Sequence, residues 1–316
     1  MTRRVDEQPH GRWVAAASTG ELVSEPDENQ SLSEISGFAF PVSCTTGGEM
    51  RARALARRME RAVSWLDDQG VVPFVPALFV VGSGDWAGVT LGPPYGMPHG
   101  GDGRIVVGRE AGPFWQELLV IAASHPDAEM EQRLAAAYGR PADVEPFADL
   151  LIVHQLGHLT HSEGWSRSPI SSWLGEIAAN LCLHGYVSEA EPESLPVLET
   201  LCEAVWEAAQ GPWPVRDLDR MADALAGDGA NYFWFRFGLQ ILARRLWESA
   251  GPTALRGVVS LLQSPVQPLG DVADVLATFD LNVGRAVLDW PHFGSDAMRN
   301  NTWTRSACDG KESVIS

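Results

Sequence analysis

The run from Asp149 to Ser162, DLLIVHQLGHLTHS, constrains the chain more than any other stretch. It reads as a helix beginning near Pro146, a residue tolerated in a first helical turn. His154 and His158 stand four apart on it, about 40° from each other around the helix axis, so both rings reach one face and can share one metal ion. Two histidines at this spacing also arise by chance on many helices, where they are core residues. The rest of the chain therefore has to supply a third ligand before the pair means anything.

The elements on either side give an α+β pattern. ISGFAFPVSC (35–44) is strand-like, and Glu49 to Gln69 carries a helical period with Ala54, Met59, Val63 and Leu66 inward and five arginines outward. VVPFVPALFVVG (71–82) reads as a buried strand, TLGPPYGMPHGGDG (90–103) as Gly-rich turns, and Arg104–Gly108 as a further strand. Its Gly-x-Gly pieces lack the strand and helix that a phosphate-binding loop requires. Helices are expected over 113–124, 128–139, 171–187, 195–210, 215–226, 231–251 and 253–264, with one or two more in 271–290. The division that follows is an acidic arm over 1–35, an α+β part over 36–165 ending in the histidine helix, a helical part over 166–293, and a polar tail over 294–316.

Composition narrows the partners. A chain of 316 residues with 45% hydrophobic and 20% charged residues is that of a globular protein with a sizeable core. A net charge of −18 opposes nucleic acid or an anionic membrane as the main partner, so the arginines between Glu49 and Gln69 read as a solvated helix face. No apolar run has the length of a membrane span, and the N-terminus has no apolar core of a signal peptide. Cys44, Cys182, Cys202 and Cys308 form no C-x-x-C pair; reduced thiols are the simpler expectation, with Cys182 and Cys202 able to meet. The expected location is the cytoplasm, and the expected partner a small-molecule or peptide substrate.

Hydrolytic zinc sites use three protein ligands and leave a fourth position open. Glu176, on the next helix, is the best third candidate, and Asn180 lies four residues on along the same face, placed to hold a ligand imidazole by a hydrogen bond. His161 is an alternative ligand on the histidine helix, and His125 and His184 have no partner pattern. HQLGH (154–158) followed by WLGEIAAN (173–180) resembles the gluzincin zinc metallopeptidases of the peptidase MA-like group, whose pattern is H-E-x-x-H with a later E-x-x-x-D. The resemblance extends as pattern over roughly residues 50–293. It implies a zincin-like fold, Zn2+ held by His154, His158 and Glu176, Asn180 in the place of an aspartate beside the ligands, and catalytic positions at Gln155 and Tyr232.

Both departures from that pattern replace a carboxylate with an amide. Gln155 cannot take a proton from bound water, and Asn180 brings no charge to strengthen a ligand histidine. Asp149 and Glu163 are near enough in sequence to stand in as the base, although a solvated carboxylate at a helix end is the simpler role for each. Two neutral imidazoles and one carboxylate around a dication leave a formal charge of +1, which favours an anionic ligand. Three readings follow: a repurposed metalloenzyme using the metal as a Lewis acid, a pseudopeptidase kept as a binding module, and a peptidase with a different base.

Overall fold

The computed structural model describes residues 32–71, 74–90, 93–124, 127–160, 169–208, 213–226, 229–265 and 267–292. Nearly all of the acidic arm, the tail with Cys308, and the residues His125, His161 and Glu163 lie outside them. The architecture is α+β, with a five-stranded mixed sheet at the N-terminal side and helices through the rest.

The sheet is built from β1 (Ser33–Glu34), β2 (Val42–Cys44), β3 (Ala77–Val81), β4 (His99–Gly101) and β5 (Arg104–Gly108), in the order β1-β2-β3-β5-β4. The three inner strands run parallel, and the two edge strands are antiparallel to their neighbours. Parallel pairing needs a crossover, and α1 (Glu49–Asp68) supplies it between β2 and β3. Its Ala52, Leu55, Ala56 and Met59 are buried in the same core as Val42, Leu78, Val80, Ile105 and Val107. The opposite face buries Val81 and Val106 with Trp86, from the short α2 (Trp86–Val89).

Three expectations change here. Among the described residues, the strand read over 71–82 begins at Ala77, just after Pro76, which offers no N–H to a ladder; Phe74 and Val75 ahead of it are exposed. Within the Gly-rich stretch, His99–Gly101 nevertheless pairs as the edge strand β4, its register carried by the turn at Asp102 and Gly103, which both take positive φ. The α1 arginines are also less solvated than their charge suggests. Arg51 pairs with Glu145 and Asp149, each at 2.5 Å, and Arg58 and Arg61 both pair with Glu191.

The helical remainder comprises α3 (Pro113–Ala122), α4 (Ala128–Tyr138), α5 (Glu145–Leu159), α6 (Pro169–Ala190), α7 (Leu195–Ala208), α8 (Met221–Ala226), α9 (Gly229–Ala250), α10 (Pro252–Gln263), α11 (Leu269–Phe279) and α12 (Leu281–Leu288). The helix expected over 215–226 is shorter, with a 3-10 turn at Leu218–Arg220 before α8. Cys182 and Cys202 are free, buried thiols. No helix among the described residues is long and apolar enough to cross a membrane.

Helices α5 and α6 pack closely, and the histidine motif explains how. A Cβ added at Gly157 would lie 2.7 Å from the Ala179 Cα, inside contact distance. Glycine at this one position lets the α6 backbone approach the histidine turn. Because α5 is apolar on most sides, with Phe147, Leu150, Ile152, Val153 and Leu156 buried, it is held from every direction. The boundary drawn at 165/166 from sequence thus falls between two helices that share one core.

Candidate metal centre

Three polar side chains meet where α5 crosses α6. His154 Nε2 lies 3.0 Å from His158 Nε2 and 3.4 Å from Glu176 Oε2, and His158 Nε2 lies 3.5 Å from Glu176 Oε1. A tetrahedral ion with bonds of about 2.0–2.1 Å has its ligand atoms about 3.3–3.4 Å apart. The three donor residues therefore stand at the separations one small cation would impose, and they form a group able to hold one. The two rings cross at 89°, which aims both Nε2 atoms inward without stacking the imidazoles. His154 and Glu176 are buried, while the His158 side chain keeps about a quarter of its surface open.

The sequence reading missed the fourth member, Arg236 of α9. Its Nη1 donates to Glu176 Oε1 at 2.8 Å and sits 2.7 Å from Oε2; its Nη2 is 2.9 Å from His154 Nε2. Nη1 also donates to the Tyr232 hydroxyl at 3.3 Å, and the guanidinium lies over the Tyr232 ring. Tyr232 is thus brought to the site through Arg236, while its ring edge packs on Phe233.

Burial and these contacts set the charges. Burial works against ionised Glu176, but Arg236, His158 and His154 reverse it and hold the carboxyl well below the usual carboxylate range. Burial, joined by the Arg236 charge, lowers His154 against the pull of Glu176 and Asn180, leaving a neutral ring at neutral pH. Asn180 lines the site and favours the charged form of His154, yet its own Nδ2 and the His154 Nδ1 are buried with no hydrogen-bond partner.

Gln155 faces elsewhere. Its Nε2 donates to the Pro98 carbonyl at 3.1 Å, and a Cβ added at Gly100 would sit 3.1 Å from its Oε1. The amide stitches α5 to the edge strand β4, a task that an ionised glutamate, having no N–H, cannot perform. Asp149 is committed to Arg51, at roughly 140° around the helix from His154. Burial pushes its carboxyl up to about 6 despite the Arg51 charge. His184 is buried on α6, away from the triad, with its pKa lowered to about 3 by burial and by Arg244.

Beside the triad opens a small cleft walled by apolar side chains such as Phe114, Trp115, Phe147 and Phe237. Asn180 and Arg236, which adjoin the triad, are polar members of its lining; His154, His158 and Glu176 themselves do not line it. No protein-family model matches this chain, nor does any curated protein or any solved structure.

Proposed function

We propose that the chain is a zincin-like metalloprotein in which His154, His158 and Glu176 hold zinc and a small anionic substrate is drawn to that centre. The convergence of the two Nε2 atoms and the Glu176 carboxylate at 3.0–3.5 Å carries this reading. Two imidazoles and one carboxylate are the donor set of open catalytic zinc sites. The antiparallel edge strand beside α5 and the helical remainder support the zincin-like architecture. Zinc bound there supplies a Lewis acid that polarises a carbonyl or phosphoryl oxygen.

The chain's own residues define what surrounds that oxygen. Arg236 offers a guanidinium that never loses its charge, and the aromatic walls of the cleft accept an apolar body. A small acid, or a peptide end with an apolar side chain, meets both demands. Gln155 is an amide tied to Pro98, and Asp149 is tied to Arg51, so neither is placed to take a proton from water at the triad. The pseudopeptidase reading is supported by one observation, the engagement of the Glu176 carboxylate by Arg236.

Metal analysis after equilibration with zinc tests the proposal. About one equivalent is expected in the parent and almost none in His154→Ala or Glu176→Ala. Zinc retained equally by all three would overturn it.

A further inference from the structure

We infer that Arg236 is a resident cation of this centre, and that metal enters by displacing its guanidinium from His154 and Glu176. The inference rests on the metal-site reading above and adds to it a residue that controls occupancy.

The argument begins with a lone pair. An imidazole nitrogen that is not protonated has one lone pair, in the plane of the ring, and arginine is a donor only. The 2.9 Å contact between Arg236 Nη2 and His154 Nε2 therefore makes Nε2 the acceptor and puts the ring proton on Nδ1. That is the tautomer a metal needs at Nε2, but the lone pair is already in use. A metal and this N–H bond to His154 Nε2 are mutually exclusive.

The second ligand is engaged in the same way. Nη1 reaches both oxygens of Glu176, at 2.8 and 2.7 Å. Charge makes the exclusion firmer. Glu176 and Arg236 together are neutral, whereas a dication added beside an unmoved Arg236 leaves a formal +2 around buried groups. Two cations at such range repel strongly where water is scarce. Metal uptake thus requires that the guanidinium move away or that an anion arrive with the metal.

The surroundings give the guanidinium somewhere to go. Arg236 lines the apolar cleft, and its Nη1 already touches the Tyr232 hydroxyl with the guanidinium over that ring. A guanidinium swung toward the cleft, held by the tyrosine face, meets a carboxylate bound there. Metal and an anionic ligand then raise each other's affinity, as linkage demands.

Zinc affinity of the full chain, measured by competition with a chromophoric chelator, tests this. Arg236→Met keeps the apolar stem and removes the charge; it should bind zinc at least about tenfold tighter than the parent, with the gain abolished by adding His154→Ala. Arg236→Lys, whose single ammonium cannot hold His154 and both Glu176 oxygens at once, should fall between, and it serves if the methionine variant does not fold. Without zinc, Arg236→Met should melt below the parent, and zinc should raise its melting temperature by more than it raises the parent's. Equal or weaker zinc binding by both variants, still lost with His154→Ala, would overturn the displacement while leaving the metal site intact. No His154-dependent zinc binding in any variant would overturn the metal-site reading and this inference with it.

Discussion

Helices α6 and α9 face each other with two polar clusters built from the same ingredients, each with three side chains that could share a metal ion, and they differ in how arginine engages them. The first joins His154, His158 and Glu176 to Arg236; the second joins His184, Glu199 and Glu248 to Arg244, two turns further along α9. In the first, one carboxylate and two ring nitrogens converge, and a single arginine reaches into their midst. In the second, Arg244 is shared among Glu199 at 3.2 Å, Glu203 at 2.7 Å and Glu248 at 2.7 Å, and Glu203 takes a further bond from Arg133. His184 Nδ1 is buried there without a hydrogen-bond partner, as is His154 Nδ1 in the first cluster. Donor types alone do not distinguish the clusters. The number of carboxylates per arginine does.

Substituting one carboxylate in each cluster should separate them most clearly. Glu176→Ala leaves Arg236 buried without its partner, which should cost about 3–5 kcal/mol in denaturant unfolding. Glu248→Ala removes an exposed member of a shared network, and should cost less than about 1 kcal/mol. Similar losses at the two sites would erase the distinction drawn between them.

The next effect concerns how α5 reaches α6. Gly157→Ala drives a methyl group to within contact of the Ala179 backbone, so the helices must part. A loss of about 1–3 kcal/mol is expected, together with weaker zinc binding, because the shift separates Glu176 from the histidines. An alanine variant with unchanged zinc affinity would show that the close crossing does not position the triad.

The smallest effect lies at the far end of α6 and is one of pH. Burial opposes ionised Glu191, but Arg58, Tyr186 and Arg61 overcome it and lower its pKa from 4.5 to about 2. A carboxylate lowered on folding adds stability above its unfolded pKa, and that contribution disappears as pH falls from about 4.5 toward 2. Since Arg61 is largely exposed, the full shift should be discounted to about 1–2 kcal/mol. Unfolding curves of the parent and Glu191→Gln should differ by that amount at pH 7 and converge toward pH 2. A gap that persists at pH 2 would mean that packing, not charge, holds this end of α6.

Much of the site was legible because α-helical spacing is rigid. His154, His158, Glu176 and Asn180 sit at intervals of four on two helices, and intervals of four share a face wherever the helices go. Arg236 was missed although the same rule reaches it. Tyr232, Arg236, Gln240 and Arg244 form a polar seam at intervals of four along an aromatic-rich helix, opposite the Glu176, Asn180 and His184 seam of α6. What sequence does not contain is that these seams face each other, since that depends on how α9 packs. Gln155 was legible as an amide in a carboxylate's place, but its bond to Pro98 was not, because β4 is a His-Gly-Gly strand with no β-branched residue of its own. The early start assigned to β3 came from counting apolar residues across Pro73 and Pro76.

X-ray absorption of the zinc-loaded protein tests the central claim most directly. Two imidazole ligands and one carboxylate, with bonds of about 2.0–2.2 Å, are expected, and the imidazole signal should fall to one ring in His158→Ala. A zinc shell of oxygen atoms alone, unchanged in that variant, would contradict the assignment of His154, His158 and Glu176 as the metal centre.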